Sequence, residues 1–196
     1  MLFGLISYIV VRNDSEKSYH KTAEILTSQT NAALKNWIDD QIVIVQTIAA
    51  DARVINACAN PSNPVLVAEA DNYLEAMHKR YPYYENMPLA AKLPENQSFT
   101  VTVNGESRVI KSGQFFSDTV KGNTIGKAGT HLLYIQKAFE GKPYFISNVY
   151  PSILRGNPIF VVAAPVIQNG KVVGAAIIAP QMDYFTKRFV ENSKIG

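Results

Sequence analysis

The spacing of apolar positions in the first third of the chain predicts a long helix. Neither proline nor glycine occurs between residues 15 and 59, and side chains at three- and four-residue steps, such as Trp37, Val45 and Ile48, form one stripe. At 1.5 Å per residue, roughly 40 residues would make a rod about 60 Å long. We expect residues 15–60 to form a stalk helix, part of which also packs along a sheet.

After the first helix, the pattern of apolar and polar residues predicts a second helix and then strands. The prolines of "NPSNP" at 60–64 end the first helix, and a second helix is expected from about residue 65 to residue 80. "SFTVTV" then alternates between apolar and polar residues, and Asn104-Gly105 followed by "SRVI" predicts a tight hairpin.

A second hairpin is the strongest strand signal in the chain. Its predicted strands are 159–166 and 171–179, joined by a turn at Asn169-Gly170. A short helix is expected before it, within "HLLYIQKAFEGK", and a terminal helix should begin near Asp183.

This order of elements predicts an α+β fold, an antiparallel sheet of about five strands with the long amino-terminal helix packed along it. Both strands of the second hairpin are apolar on both faces, so each face should be covered, one by the long helix and the other by residues 107–143. Small side chains in this hairpin fit either a ligand cavity or close packing of a helix on the sheet. They are Ala163, Ala164, Gly174, Ala175 and Ala176.

Composition and charge narrow the classes of function. The 19 basic and 16 acidic residues are scattered and leave a net charge of +3, so nucleic acid is not expected as a partner. Cys58 is the only cysteine and should be a small buried residue, and the three histidines are far apart, so neither a metal nor another cofactor is expected. No spacing in the sequence is typical of a catalytic triad or a phosphate loop, so the chain is not expected to be an enzyme.

The apolar start of the chain, "MLFGLISYIVV", is followed at once by Arg12, Asn13 and Asp14. It is too short to cross a bilayer, which takes about 20 residues. It also lacks the basic start and the cleavage site of a complete signal peptide. We interpret residues 1–14 as the outer end of a transmembrane segment with its junction. The alternative is a soluble helix that packs its own apolar start.

Three segments together resemble the core of a known sensor family. They are "YIQKAFEGKPYFISNVYPS", "GNPIFVVAAPVIQNGKVVGAAIIA" and "MDYF". They resemble the Cache domains, the PAS-like extracytoplasmic sensor modules of bacterial chemoreceptors, histidine kinases and diguanylate cyclases. The resemblance covers about residues 12–196. It implies a PAS-like module at 61–190 that holds a ligand between its sheet and loops, and residues 191–196 as the start of a linker to a further module, as in double-Cache receptors.

The resemblance also indicates candidate ligand-binding residues. Members that bind amino acids surround the ligand with an arginine, two aromatic residues, a tyrosine and two aspartates, and Tyr134 and Tyr150 keep two of these positions. Leu132 replaces the arginine, Ser152 the first aspartate, and residues 179–180 the second. A buried ammonium without a counter-charge costs several kcal/mol. We therefore expect a short organic acid or an uncharged compound rather than an α-amino acid.

Two further candidates come from neighbouring positions. His131 lies next to the replaced arginine and could either donate to an anion or lie in solvent. Asn148 shares the strand parity of Tyr150 and Ser152, so it should face the same side. The predicted ligand-binding set is therefore His131, Tyr134, Asn148, Tyr150 and Ser152.

Together these observations predict a small-molecule sensor domain of a membrane receptor. The leading interpretation is a methyl-accepting chemotaxis receptor that signals through its helix to the membrane, and the sensor of a histidine kinase or diguanylate cyclase is the alternative. A degenerate module that binds a partner protein instead of a small molecule is a third hypothesis. The domain should lie on the extracytoplasmic or periplasmic side of the inner (plasma) membrane. The stalk helices should pair in a homodimer of the full receptor.

Overall fold

The structure, a computed structural model, describes residues 28–191. The predicted transmembrane end at 1–14, the first part of the stalk and almost all of the predicted linker at 191–196 lie outside the described residues. Residues 40–185 form one compact unit, and the described residues 28–39 and 186–191 belong to a second unit.

The long helix is divided at Asp51. Helices α1 (Ser28–Ala50) and α2 (Ala52–Ala59) are bent by 61° relative to each other. Asp51 has extended backbone angles and its side chain accepts a hydrogen bond from the Arg53 N–H, so it caps α2 and starts a new helix. The single helix predicted as far as residue 60 is therefore two helices. Among the described residues no single helix is long and apolar enough to cross a membrane, and α1 and α2 reach that length and hydropathy only as a bent pair.

The other predicted helices are present. Helix α3 spans Pro64–Arg80, close to the expected 65–80, and the Asn63 side chain accepts two backbone N–H groups of its first turn. Helix α4 (Leu133–Phe139) lies within the predicted short helix. Helix α5 (Met182–Phe185) begins where the terminal helix was expected and is followed by a π-helix at Thr186–Glu191.

Residues 28–191 contain nine strands, five of which form the main antiparallel sheet. The strands are β1 Leu89–Ala91, β2 Ser98–Val103, β3 Glu106–Lys111, β4 Phe115–Ser117, β5 Phe145–Ile146, β6 Tyr150–Pro151, β7 Pro158–Ile159, β8 Val162–Gln168 and β9 Lys171–Ile178. The order in the main sheet is β4, β1, β9, β8, β5, which confirms the predicted α+β class. The β8–β9 turn lies at Asn169 and Gly170, whose φ angles of 51° and 74° suit the predicted two-residue hairpin.

The first predicted hairpin forms outside the main sheet. Strands β2 and β3 pair as a separate two-stranded sheet, as do β6 and β7. The expectation that "SFTVTV" and "SRVI" belong to the main sheet is therefore wrong. Their places are taken by β1 and β4, which have three residues each and are buried throughout. Strands this short and this buried show no alternation that a sequence pattern could reveal.

Different helices cover the two faces of the main sheet. Helix α2 contacts the face that carries Gly174, where an added Cβ would lie 2.8 Å from the Cys58 Sγ. Helix α4 contacts the other face, where Tyr134 joins a buried cluster with Ala175 and Ile177. The two sets alternate along β9, as side chains do in a strand. Cys58 is buried as predicted, and this burial raises the pKa of its thiol.

Asp71 on α3 makes a pH-dependent contribution to stability. Its carboxyl group accepts a hydrogen bond from the Ser117 hydroxyl at the end of β4. Burial, together with the charges of Asp118 and Glu75, raises the pKa of Asp71 from 3.8 to about 6 despite that hydrogen bond. The folded state therefore binds this proton more tightly than the unfolded chain. The free energy of unfolding should fall as the pH rises from about 4 to about 6.

Replacing Asp71 with asparagine should remove this loss, because the amide stays uncharged at every pH. Urea unfolding at about pH 4 should give similar free energies for the wild-type protein and Asp71→Asn, and at about pH 7 the variant should be the more stable. Glu69→Gln, an exposed change on the same helix, should leave the pH profile unchanged. If Asp71→Asn loses stability with rising pH as steeply as the wild-type protein, another group carries the titration.

Candidate functional site

A cavity of about 380 Å³ lies on the α4 side of the main sheet. Its walls are mostly apolar and include Leu132, Ile159, Val161 and Ile177. The loop before α4 covers it, and the segment from β6 to β7 closes one side. The polar lining residues are Glu85, Asn86, Thr124, Lys127, His131, Tyr134 and Tyr150. Small-molecule sites commonly have this form, with volumes of roughly 300–1,000 Å³.

The small residues singled out in β8 and β9 do not line this cavity. Gly174 lies against α2, and side chains of the same parity share its face. Ala163 and Ala175 belong to the buried cluster under α4. Close packing is therefore the interpretation that applies to these residues. At the cavity itself the small side chains are Ala128 and Ala179.

Glu85 reaches the cavity from the segment that precedes β1. Its N–H donates to the Ala179 carbonyl at 2.8 Å, and the Ala179 N–H donates to the Asn86 carbonyl at 3.1 Å, so this segment continues the pairing of β1 with β9. Tyr84 lies outside the cavity lining, and its hydroxyl donates to Gln41 of α1, whereas the next two residues, Glu85 and Asn86, both line the cavity. Glu85 lines the cavity with 4% of its surface exposed.

Ser152 holds one of the two carboxylate oxygens of Glu85. Its hydroxyl donates to Glu85 Oε2 and accepts the Leu154 N–H at 2.9 Å. The turn that contains Ser152 is closed by its backbone hydrogen bonds with Gly156 and Asn157. Among the described residues, Glu85 Oε1 and Asn157 Oδ1 are the buried side-chain oxygens without a hydrogen-bond partner. The cavity wall thus carries a fixed carboxylate with one unpaired oxygen.

Tyr134 and Tyr150 both line the cavity wall, close enough for each to act on the pKa of the other. Burial is the main cause that raises the pKa of Tyr134, and its interactions with Tyr150 raise it further. Burial also raises the pKa of Tyr150 to about 12; the Tyr134 hydrogen bond opposes this rise and the charge of Glu85 adds to it. Both tyrosines therefore present neutral hydroxyls at physiological pH, and Glu85 lies close enough to act on Tyr150.

Two buried side chains hold the loop above the cavity. Asp118 accepts hydrogen bonds from the N–H groups of Val120, Gly122 and Thr124 and from the Thr124 hydroxyl. Asn86 Nδ2 donates to Thr124 Oγ1 at 2.9 Å. These bonds fix Thr124 at the cavity wall without the help of a ligand, so this part of the site is formed in advance.

Four of the five predicted site residues lie at or directly behind the cavity wall. His131, Tyr134 and Tyr150 line it, with His131 exposed at the rim. Ser152 is buried behind the wall and contacts the cavity through its hydrogen bond to Glu85. That these four residues bind a ligand stays a prediction.

Asn148 lies outside the cavity lining and is exposed. Its expected orientation assumed one continuous strand through Tyr150 and Ser152. Strand β5 instead ends at Ile146, and β6 begins at Tyr150, so the chain between them does not alternate as a strand does. The parity argument fails for this reason.

Sequence reasoning missed Glu85, Asn86 and Thr124. The resemblance to a ligand-binding motif indicates site residues only from 131 onward, and these three lie upstream of that segment. One usable signal was present, because Glu85 and Asn86 are the polar pair in the stretch "YPYYENMP", whose other residues are aromatic or apolar, and Glu85 is its one charged residue. Glu85 also corrects the premise that no acidic side chain reaches the pocket.

The fold is similar to those of solved sensor domains. The sensor domain of the V. cholerae histidine kinase DctB matches with a TM-score of 0.68 at 12% identity, over 87% of this chain and 58% of that chain. The ligand-binding domain of the Campylobacter jejuni chemoreceptor Tlp3, in complex with 4-methylisoleucine, matches with a TM-score of 0.56 at 9% identity, over 83% and 58%. That of the Pseudomonas aeruginosa amino-acid chemoreceptor PctC, in complex with GABA, matches with a TM-score of 0.55 at 14% identity, over 82% and 59%.

At these identities the likeness shows the fold. It confirms the PAS-like, Cache-type α+β fold that the sequence resemblance implied, a fold used by the sensor domains of histidine kinases and chemoreceptors. This chain spans just under three-fifths of the length of each of the three structures. No family model and no curated protein matches the chain.

Proposed function

We propose that this chain is the sensor domain of a bacterial membrane receptor and binds a small molecule in the cavity under α4. The observation that carries the proposal is the cavity itself, which combines apolar walls with a few convergent polar groups. Hydrogen bonds through Asp118 and Asn86 hold its covering loop in place, so little ordering remains to oppose binding. The similar fold of known sensor domains supports the same role.

The proposed receptor is anchored in the inner membrane by a transmembrane segment whose outer end and junction are residues 1–14, with the sensor domain on the extracytoplasmic or periplasmic side. Its stalk helices pair in a homodimer, through which ligand binding reaches the membrane. The receptor we propose is a methyl-accepting chemotaxis receptor, and the alternative is a histidine kinase or a diguanylate cyclase. Solved structures of similar fold come from chemoreceptors and histidine kinases. We propose a sensing role without catalysis, because the neighbours are sensor and ligand-binding domains.

A degenerate module that binds only a partner protein is the less supported alternative. Such a module would have this cavity filled by its own side chains. Here Tyr134 and Tyr150 lie at the wall of the cavity under α4, and about 380 Å³ stays open beside them. The ligand class expected from sequence, a short organic acid or an uncharged compound, assumed a pocket without negative charge. That assumption does not hold, because the acidic residue Glu85 lines the cavity.

Binding in the cavity is expected to depend on Tyr150. A thermal-shift screen of the 196-residue chain should cover amino acids, amines, short carboxylates, purines and sugars. A true ligand at about 100 times its Kd should stabilise the protein by about 2.7 kcal/mol, which corresponds to several degrees in Tm. Calorimetry should then show that Tyr150→Ala weakens each hit by at least about tenfold, because the variant loses a hydroxyl and a ring from the wall.

Tyr144→Ala is the matched control for this substitution, because Tyr144 is 45% exposed and lies outside the cavity lining. It should leave the affinity of each hit unchanged. If no compound in the panel raises Tm, or if hits bind Tyr150→Ala as tightly as the wild-type protein, the cavity is not the ligand site.

A further inference from the structure

Glu85 carries a buried carboxylate oxygen that the protein leaves unpaired. Its side chain lines the cavity and is more than nine-tenths buried, with 4% of the residue surface exposed. Ser152 donates to Oε2, whereas Oε1 has no hydrogen-bond partner among the described residues. Nearly all buried polar atoms of folded proteins are hydrogen-bonded, and an unpaired buried charge costs several kcal/mol. A ligand with a hydrogen-bond donor could supply the hydrogen bond that the Glu85 carboxylate lacks.

The surroundings of Glu85 contain no compensating charge within the described part of the chain. The ion pairs found there involve Asp39, Asp51, Glu106 and Glu140, each with a nearby lysine or arginine. The basic side chains that line the cavity, Lys127 and His131, are exposed at its rim. Negative charge is therefore concentrated at a buried position of the cavity, and the positive groups lie where solvent reaches them.

We propose that Glu85 binds the ammonium group of a small amine. The Glu85 carboxylate accepts a charge-assisted hydrogen bond from the ammonium, and the carbon skeleton of the amine packs against the apolar wall at Ile159, Val161 and Ile177. Charge-assisted hydrogen bonds are roughly twice as strong as neutral ones. This inference rests on the proposed function, because it names the ligand class of the same cavity.

The same geometry disfavours the other ligand classes. A carboxylate placed beside Glu85 would meet a like charge in a poorly solvated site, and an uncharged compound would leave the charge of Glu85 without a counter-ion. A carboxylate at the far end of an amine ligand is tolerated, since Lys127 and His131 are basic groups of the rim. The proposed site therefore requires an ammonium group in its ligand, whereas it does not require a carboxylate at the far end.

The selectivity of the wild-type protein tests the inference without any variant. Calorimetry on the full chain should compare butylamine, 2-aminobutyrate, 4-aminobutyrate, butyrate and butanol, which share one carbon skeleton, together with every hit of the wider screen. The tightest binders should carry an ammonium group, and butyrate and butanol should bind at least about 30-fold more weakly than the best amine.

Glu85→Gln is the matched substitution, because it keeps the shape and an acceptor for Ser152 but removes the charge. It should weaken the best amine by about 30-fold. The unliganded variant should have a Tm no lower than that of the wild-type protein, since a buried unpaired charge is lost. Glu106→Gln, at a side chain that is 76% exposed, should change neither value.

The outcomes separate this inference from the proposed function. Butyrate or butanol binding as tightly as the amines, or an amine that binds Glu85→Gln as tightly as the wild-type protein, would overturn the ammonium assignment. The small-molecule cavity would still stand if that binding is lost in Tyr150→Ala. A lower Tm of unliganded Glu85→Gln would show a structural role for the carboxylate and count against the inference. Absence of binding across the whole panel would overturn both.

Discussion

Replacing Asp118 with alanine is expected to lower the free energy of unfolding by about 3 kcal/mol. The buried carboxylate accepts hydrogen bonds from the N–H groups of Val120, Gly122 and Thr124, at 3.1, 2.7 and 2.7 Å, and from the Thr124 hydroxyl at 2.8 Å. Hydrogen bonds to charged groups each contribute about 1.5–3 kcal/mol, and alanine leaves these donors without their acceptor. Water reaching the loosened loop recovers part of the loss. Tm should fall by roughly 6–12 °C.

The loss should be concentrated in the loop that covers the cavity. Amide hydrogen exchange should show faster exchange across residues 119–126 in Asp118→Ala than in the wild-type protein. Asp118→Asn, which keeps one acceptor oxygen, should fall between the two proteins in stability. Asp183→Ala, at an exposed carboxylate on α5, should change Tm by no more than a degree or two. A Tm for Asp118→Ala equal to that of the Asp183 control would show that the carboxylate does not hold the loop.

Gly174→Ala is expected to destabilise the protein by about 3 kcal/mol. A Cβ at this position would lie 2.7 Å from the Ala90 carbonyl oxygen and 2.8 Å from the Cys58 Sγ. These neighbours are a strand backbone and a buried side chain, which cannot move aside without disturbing β1 or α2. Overpacking of this kind typically costs about 1–3 kcal/mol and sometimes more. The free energy should be measured by urea unfolding, with unchanged m-values as a check on two-state behaviour.

Two controls separate steric overlap from other effects of glycine replacement. Gly105→Ala places a methyl group in open space but at a φ of 83°, so it should cost only about 1 kcal/mol through backbone strain. Cys58→Ala combined with Gly174→Ala removes the sulfur from the contact and should recover part of the loss. Equal losses for Gly174→Ala and Gly105→Ala would refute close packing of α2 on β9.

Elements whose backbone conformation is set by residues adjacent in the chain were predictable from the sequence. The Asn169-Gly170 turn favours a left-handed backbone that joins two antiparallel strands, and the hairpin formed as expected. Pro61 follows the end of α2 at Ala59, and Asn63 and Pro64 then start α3. The break at Asp51 was also encoded locally, in an aspartate that can cap a helix, but the uninterrupted apolar stripe around it masked the signal.

The sequence pattern did not show which segments become strands of the main sheet. The hairpin of β2 and β3 has an alternating pattern, because one of its faces is exposed, and this made it the more obvious pair of strands. The sheet instead uses β1 and β4, which are three residues long and buried on both faces. Pairing with β9 decides their conformation, and that pairing joins segments far apart in the chain.

By itself, the sequence determined the α+β class, the long hairpin, the helices after residue 60 and the position of two cavity tyrosines, because these follow from local backbone preferences and from a resemblance along one continuous segment. Only the tertiary structure decided the charge of the cavity. Glu85 and Ser152 are 67 residues apart, and they meet because the segment before β1 continues the pairing of β1 with β9 and brings Glu85 beside the turn that contains Ser152. No spacing within either segment reports that meeting, since it depends on which strands become neighbours in the folded sheet.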